Sequence, residues 1–241
     1  MLKPYDKWAV DHGNTRCVAS RSFGDPNAPV MLGIRPSLND TTVRLLIVQN
    51  NGYLAAQHVP VKVAGTKASA LHFSTKGTKQ RVMWIDLTRA DFNRAVAGPN
   101  LRVVGDGVNI DLPLTGIASA VKVLQTCNAG LRQHWNADEA GMAKIATRAR
   151  SLRSPARAVT SDDYPGQAIE EAKGGRTRVM LLTDEQGAAK ECLVEEHSGV
   201  ASIDAQTCFM VMKRGKFAPA QDAAGKPIRS YLSYAFKWQI G

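Results

Sequence analysis

The chain has 241 residues, of which 44% are hydrophobic and 22% are charged, so wholesale disorder and a fibrous or collagen-like chain are excluded. This length predicts two domains or one large one. Lys and Arg number 31 against 21 Asp and Glu, giving a formal net charge of +10. Such a charge suits an anionic partner, whether nucleic acid, a lipid surface or an acidic polymer.

No stretch approaches the roughly 18 apolar residues that a membrane-spanning helix requires. The longest apolar stretches, residues 45–48 and 179–182, are short. The first six residues contain no apolar core of a secretion signal. We therefore expect that, if the protein is exported, its signal peptide has been removed.

The four cysteines, at positions 17, 127, 192 and 208, include no Cys-x-x-Cys pair and have no nearby His at zinc-ligand spacing, so no metal site is predicted. Cys192 falls on a predicted strand and Cys208 on the helix expected to cover it. Cys17 and Cys127 lie near the two ends of the first domain. This pattern favours two bridges, but four buried free thiols in a cytosolic protein fit the composition about as well.

Residues 1–140 are predicted to form a β-rich domain that a helix closes. Turn signals at Asn50-Asn51-Gly52 and Gly105-Asp106-Gly107 separate short β-prone segments. These segments are residues 31–34, 43–48, 59–63, 71–73, 82–87 and 101–104. From Gly116 onward, after the capping residue Thr115, apolar residues recur every three or four positions, which predicts a helix that carries Cys127.

Residues 141–160 are predicted to be a basic linker. Its cations, with no carboxylate between the first and the last, are Lys144, Arg148, Arg150, Arg153 and Arg157. Residues 1–160 carry 21 basic and 10 acidic residues, whereas residues 161–241 carry 10 and 11. Two interpretations stay open, a solvated flexible tether and a segment that contacts an anionic surface.

Residues 161–241 are predicted to form a small second domain. A short helix, with Asp162 or Asp163 as its N-cap, ends at Gly174-Gly175. A hairpin of residues 177–183 and 190–195 follows, with its turn at residues 184–187.

A second helix is predicted from Ser202 to about Lys213. It places Ala205, Cys208, Phe209 and Met212 on one face. Residues 228–240 then alternate between apolar and polar side chains, which predicts a long half-buried strand.

Several motifs of this second domain occur in the order found in a known family. They are Tyr164-Pro165, Asp184-Glu185-Gln186-Gly187, Ser198-Gly199, Ile203-Asp204-Ala205, Lys216-Phe217-Ala218-Pro219-Ala220, Asp222-Ala223-Ala224-Gly225-Lys226-Pro227 and Phe236-Lys237-Trp238-Gln239-Ile240. With them, about a third of the chain resembles the C-terminal domain of TonB, the periplasmic end of an energy transducer that engages outer-membrane receptors. The region before it is similar to a less characterised domain that often precedes such domains.

The resemblance implies how the cysteines pair and where the protein is found. Cys192 and Cys208 match a subgroup whose second strand and second helix are joined by a disulfide, and we accordingly expect disulfides, including at Cys17 and Cys127. It also implies a periplasmic protein. A usual transducer carries an N-terminal transmembrane helix and a long Pro-rich spacer, and here a folded domain stands in their place. Energy transduction by this chain alone is therefore not expected.

The fold class implied is α+β, with a three-stranded antiparallel sheet and two helices in the second domain. The last strand should be a sheet edge that can accept an extended peptide by strand addition, the mode used by this family. The side chains expected to select the peptide are Arg229, Tyr231, Ser233, Ala235 and Lys237. The alternative is that this edge pairs with a second copy or is covered by the first domain.

Enzyme motifs are weak, and no catalytic residue, cofactor or metal is predicted. His197-Ser198-Gly199 is interpreted as a turn, because it lacks the Gly-x-Ser-x-Gly pattern of a nucleophile elbow. Nucleic-acid binding is not expected either, because aromatic residues make up only 6% and no recognition motif is present.

The sequence thus predicts a non-enzymatic periplasmic protein that binds an outer-membrane receptor or another envelope protein. The alternative is a structural subunit of an envelope assembly with the sheet edge permanently occupied. The oligomeric state stays open.

Overall fold

A computed structural model describes residues 2–50, 57–74, 80–105 and 108–240. Contacts within it divide the chain into two compact units, Met1–Leu131 and Arg132–Gly241. Helices and strands are both present, so the α+β class is confirmed. The predicted turns at Asn51-Gly52 and Asp106-Gly107 lie outside the described residues.

The first unit contains one nine-stranded antiparallel sheet in the order β1-β2-β3-β4-β7-β6-β5-β8-β9. The strands are β1 (Ala9–His12), β2 (Cys17–Asp25), β3 (Ala28–Pro36), β4 (Thr42–Gln49), β5 (Gln57–Val63), β6 (Thr66–Ser74), β7 (Arg81–Thr88), β8 (Asn100–Gly105) and β9 (Val108–Pro113). All six strand segments predicted for this region fall within these strands, because alternating burial gives a visible period of two. Leu32, Ile34, Leu45 and Ile85 are fully buried on the core face.

Among the described residues up to 134, two helices accompany this sheet. α1 (Arg89–Val96) is capped by the Thr88 side chain, which accepts from the Asp91 N–H. α2 (Ile117–His134) starts where the change of period predicts a helix and carries Cys127. The Cys127 sulfur is bonded to Cys17 of β2, which confirms the first expected disulfide.

The second unit contains a three-stranded antiparallel sheet in the order β12-β11-β16 and two short ladders. The strands are β10 (Arg150–Ser151), β11 (Gly175–Thr183), β12 (Ala189–Glu196), β13 (Phe217–Ala218), β14 (Ala220–Gln221), β15 (Pro227–Ile228) and β16 (Ser230–Trp238). The helices are α3 (Glu139–Ala143), α4 (Gly166–Glu170) and α5 (Ala201–Arg214). The apolar core includes Val179 and Leu181 of β11, Ile203 and Val211 of α5, and Phe236 of β16.

Two predicted details of the helices are wrong. The N-cap of α4 is Pro165, because Asp162 and Asp163 belong to a separate 3₁₀ turn that Thr160 caps. The buried face of α5 carries Ile203, Thr207, Met210 and Val211, whereas Phe209 is 56% exposed. The sequence pattern misassigned this face because small and polar residues, notably Thr207, are buried on it.

Residues 141–160 differ from the predicted linker, because they are hydrogen-bonded within the second unit. β10 pairs with β13, and the Ala146 and Thr147 N–H groups both donate to the Gln221 carbonyl. These partners lie some seventy residues later in the chain, so composition gives no sign of them. The boundary between the units falls at 131/132, ahead of the predicted end of the first domain at 140.

Candidate functional site

β16 is an edge strand throughout its length. Its nine residues pair with β11, from Ser230 opposite Thr183 to Trp238 opposite Gly175. In the part of the chain that the structure describes, β16 pairs with no other strand. In an antiparallel pair, every second residue directs its N–H and C=O away from the partner. β16 therefore presents a row of backbone donors and acceptors on its outer side.

The core face of β16 fixes the strand in place. Trp238 donates from Nε1 to Thr207 Oγ1 at 2.9 Å, and Thr207 donates onward to the Ile203 carbonyl at 2.8 Å. The ring of Tyr164 meets the Trp238 ring edge-on, with centroids 5.1 Å apart. A strand held this firmly loses little further freedom when a partner binds.

Of the five side chains predicted to select a partner, four lie on one face of β16. Ala235 and Lys237 are exposed there, and Tyr231 is half-buried with its hydroxyl 3.9 Å from Met142 Sδ. Ser233 donates to Glu195 Oε2 of β12 at 2.6 Å. The structure thus brings these four together.

Arg229, the fifth, precedes β16 and is engaged within the chain. Its Nε lies 3.0 Å from Glu185 Oε1, its guanidinium lies over the Trp135 ring, and it contacts the His134 ring nitrogens. The Asn136 amide donates to its carbonyl at 2.8 Å. Partial burial, and then the Arg229 charge, lower the pKa of His134, with Glu185 acting in the opposite direction. Arg229 therefore joins residues 134–136 to the β11–β12 turn, all within the second unit.

Two grooves run beside β16. The first, of about 380 Å³, is lined by Ser230, Tyr231, Leu232, Ser233 and Tyr234 on one side and by Met142, Ile145, Arg148 and Ala149 on the other. The second, of about 490 Å³, is lined by residues 234–239 and by Ser154, Pro155, Val159, Thr160, Ser161 and Tyr164. Both grooves therefore have β16 as one wall and residues 142–164 as the other.

Tyr234 lines both grooves, and its hydroxyl accepts a hydrogen bond from the Ser151 N–H at 2.8 Å. The second wall was missed by sequence reasoning. Its only sequence signal, the run of basic residues, does not distinguish an ordered exposed segment from a flexible tether.

An ion pair anchors the end of that wall. Asp163 is buried, accepts from the Thr160 N–H at 2.9 Å and lies 2.6 Å from Arg214 Nη1 of α5. Burial opposes its ionisation, but these hydrogen bonds outweigh burial and lower the pKa of Asp163 below its ordinary value.

A disulfide and a buried carboxylate hold α5 against the sheet. Cys192 of β12 is bonded to Cys208 of α5, which confirms the second expected disulfide. Asp204 accepts from the Ser198 N–H and from His197 Nδ1, each at 2.9 Å. Burial opposes ionisation of Asp204, yet these two hydrogen bonds lower its pKa.

The same contacts bear on the motif His197-Ser198-Gly199. The Ser198 hydroxyl donates to the Val200 carbonyl at 2.9 Å, while His197 is oriented toward Asp204. Ser198 and His197 thus both bond to Asp204, through the Ser198 N–H and the His197 ring. Among the described residues, no three His, Cys, Asp or Glu side chains are grouped closely enough to hold a metal ion. The helices of the described chain include none that is long and apolar enough to cross a membrane.

The second unit therefore contains a small α+β domain whose last strand, β16, is an edge strand of its three-stranded sheet. Residues 161–240, about a third of the chain, match the family described as Gram-negative bacterial TonB protein C-terminal. The resemblance predicted from the sequence motifs is confirmed. The family consists of non-catalytic protein-interaction domains of the Gram-negative envelope. No curated protein matches the chain.

Proposed function

We propose that this chain is a non-enzymatic periplasmic protein whose TonB-like domain binds an extended segment of an outer-membrane receptor or another envelope protein. The segment adds to β16 as a fourth strand. Main-chain hydrogen bonds supply affinity, and Tyr231, Ser233, Ala235 and Lys237 bias which segment is accepted.

The main support for this proposal is that the outer edge of β16 pairs with no strand among the described residues and borders two grooves. Trp238 and Thr207 hold the strand before any partner arrives. The two disulfides support a periplasmic location, because such bonds persist in oxidising compartments.

A photocrosslinking amino acid placed at Ala235 tests the proposal. Ala235 is exposed on β16, and Ala188, which is exposed immediately before the opposite edge strand β12, gives a matched control position. We expect the Ala235 variant, mixed with solubilised outer membranes, to crosslink to outer-membrane receptors, and the Ala188 variant to yield little product. Equal crosslinking at both positions would contradict binding at β16.

Light scattering after size-exclusion chromatography, combined with a pull-down from solubilised outer membranes, distinguishes the proposal from a permanently occupied edge. We expect the chain to be a monomer and to capture receptors. An obligate oligomer that ignores them would instead support a structural subunit.

A further inference from the structure

The second wall of the grooves carries an excess of positive charge. Residues 144–157, here called the basic segment, contain five exposed cations and no carboxylate. They are Lys144, Arg148, Arg150, Arg153 and Arg157. Within the described part of the chain, no ion pair engages any of them. The positive charge of the basic segment is therefore not neutralised by carboxylates of the described chain.

The lining of both grooves is also positively charged. Arg148 lines the first groove and Lys237 lines the second, and no carboxylate is found among the described lining residues of either. Arg153 and Arg157 flank Ser154 and Pro155, which line the second groove.

Three carboxylates lie close to these walls. Glu195 accepts from Ser233 on the sheet face, Asp162 follows the lining residue Ser161 in the chain, and the buried Asp163 is paired with Arg214. None of the three lines a groove, so the balance of charge along the grooves remains positive.

β16 also places two like charges together. Lys237 lies directly opposite Arg176 of β11, and both are exposed. Like charges at directly opposed positions destabilise a strand pair unless an anion lies between or beside them. An acidic side chain bound near this end of β16 would relieve that repulsion.

We propose that the segment accepted by β16 is acidic, an extended peptide whose carboxylates face the basic segment. The inference rests on the proposed function. The shape of the site favours a peptide over a lipid surface or a duplex, because Arg148 lines a groove whose other wall is β16, and Arg153 and Arg157 are close in sequence to lining residues of the second groove. Backbone pairing with β16 fixes the peptide's position, and the charges select its sequence.

The test uses the full chain and three labelled peptides of about ten residues, long enough to pair along a nine-residue strand. All three share one alternating apolar pattern, and their polar positions are Glu, Gln or Lys. Affinity is measured by fluorescence anisotropy at low salt. Since each exposed ion pair contributes little, three or four acting together predict that the Glu peptide binds about tenfold more tightly than the Gln peptide. The Lys peptide should bind most weakly.

In the variant R148Q/R153Q/R157Q, most of the difference in affinity between the Glu and the Gln peptide should disappear. The control variant K62Q/K67Q/K122Q removes the same formal charge from exposed positions of the first unit. It should still bind the Glu peptide more tightly than the Gln peptide.

Equal affinity for the Glu and Gln peptides would overturn the acidic preference and leave strand addition intact. The acidic preference would also be overturned if the control variant lost the same affinity difference between the Glu and the Gln peptide. The net charge of the protein would then explain the preference without the basic segment. Binding of none of the peptides would overturn both proposals. Anionic vesicles or duplex DNA that bind more tightly than the Glu peptide, and through the same three arginines, would show that the basic segment recognises another class of partner.

Discussion

At the scale of single residues, the hydrogen bond between Trp238 and Thr207 determines how firmly the end of β16 is held. Thr207 is fully buried, so its replacement by Val leaves the Trp238 N–H without its acceptor. We expect Thr207→Val to lower the free energy of unfolding by about 1–3 kcal/mol. A double-mutant cycle with Trp238→Phe, followed by urea denaturation, should give a coupling energy of about 1 kcal/mol. A coupling near zero would show that the bond contributes nothing.

Asp204 makes stability depend on pH. Its pKa is lower in the folded chain than in the unfolded one, so its stabilisation is complete above the unfolded value of about 3.9 and is lost as the pH falls through the folded value. Asp204→Asn should therefore be less stable than the parent by about 1–3 kcal/mol near neutral pH. The difference should shrink below about pH 4. Urea denaturation over a pH series measures it, and a difference that does not change with pH would contradict this account.

At the scale of secondary-structure elements, local patterns predicted strands well. The alternation in residues 228–240 predicts β16, because one side of that strand packs on the core while the other faces solvent. The structure separates Ile228 from it, since β15 pairs with β14 in a ladder of its own.

Elements stabilised by distant partners could not be predicted in this way. β10 has two residues and exists only through its pairing with β13. Its own sequence, Arg150-Ser151, carries no strand signal. The second wall of the grooves was missed for the same reason, whereas the edge strand and four of its outward side chains followed from periodicity and resemblance.

The two disulfides join different pairs of elements and close loops of different length. In the chain-entropy model the Cys192–Cys208 loop, with a separation of 16 residues, corresponds to about 3 kcal/mol. The Cys17–Cys127 loop, with a separation of 110 residues, corresponds to about 4.7 kcal/mol.

We expect the Cys192→Ala/Cys208→Ala variant to melt at a lower temperature, and Cys17→Ala/Cys127→Ala to lose more stability in denaturant. Mass spectrometry of the parent after thiol alkylation should find no free cysteine. Four alkylated thiols in the parent would contradict both disulfides. Melting curves of the variants that match the parent would contradict their contribution to stability.

At the scale of the whole molecule, two units differ in architecture and charge. The positive excess lies before residue 161, yet the basic segment belongs by its contacts to the second unit. A fragment of residues 132–241 should therefore unfold cooperatively. A fragment of residues 161–241 lacks the hydrogen bonds that Ala146, Thr147 and Leu152 donate, and should be less stable. Chemical denaturation of both fragments checks this, and equal stability would favour a flexible tether.

Hydrogen exchange at the amides of β16, measured by NMR on the full chain with and without the Glu peptide, tests strand addition most directly. We predict that alternate amides of β16 become protected when the peptide binds, because only every second N–H faces the added strand. Amides of the opposite edge strand, β12, should exchange at unchanged rates. Protection confined to β12, or peptide binding that leaves every β16 amide unchanged, would contradict the claim that this edge receives the partner.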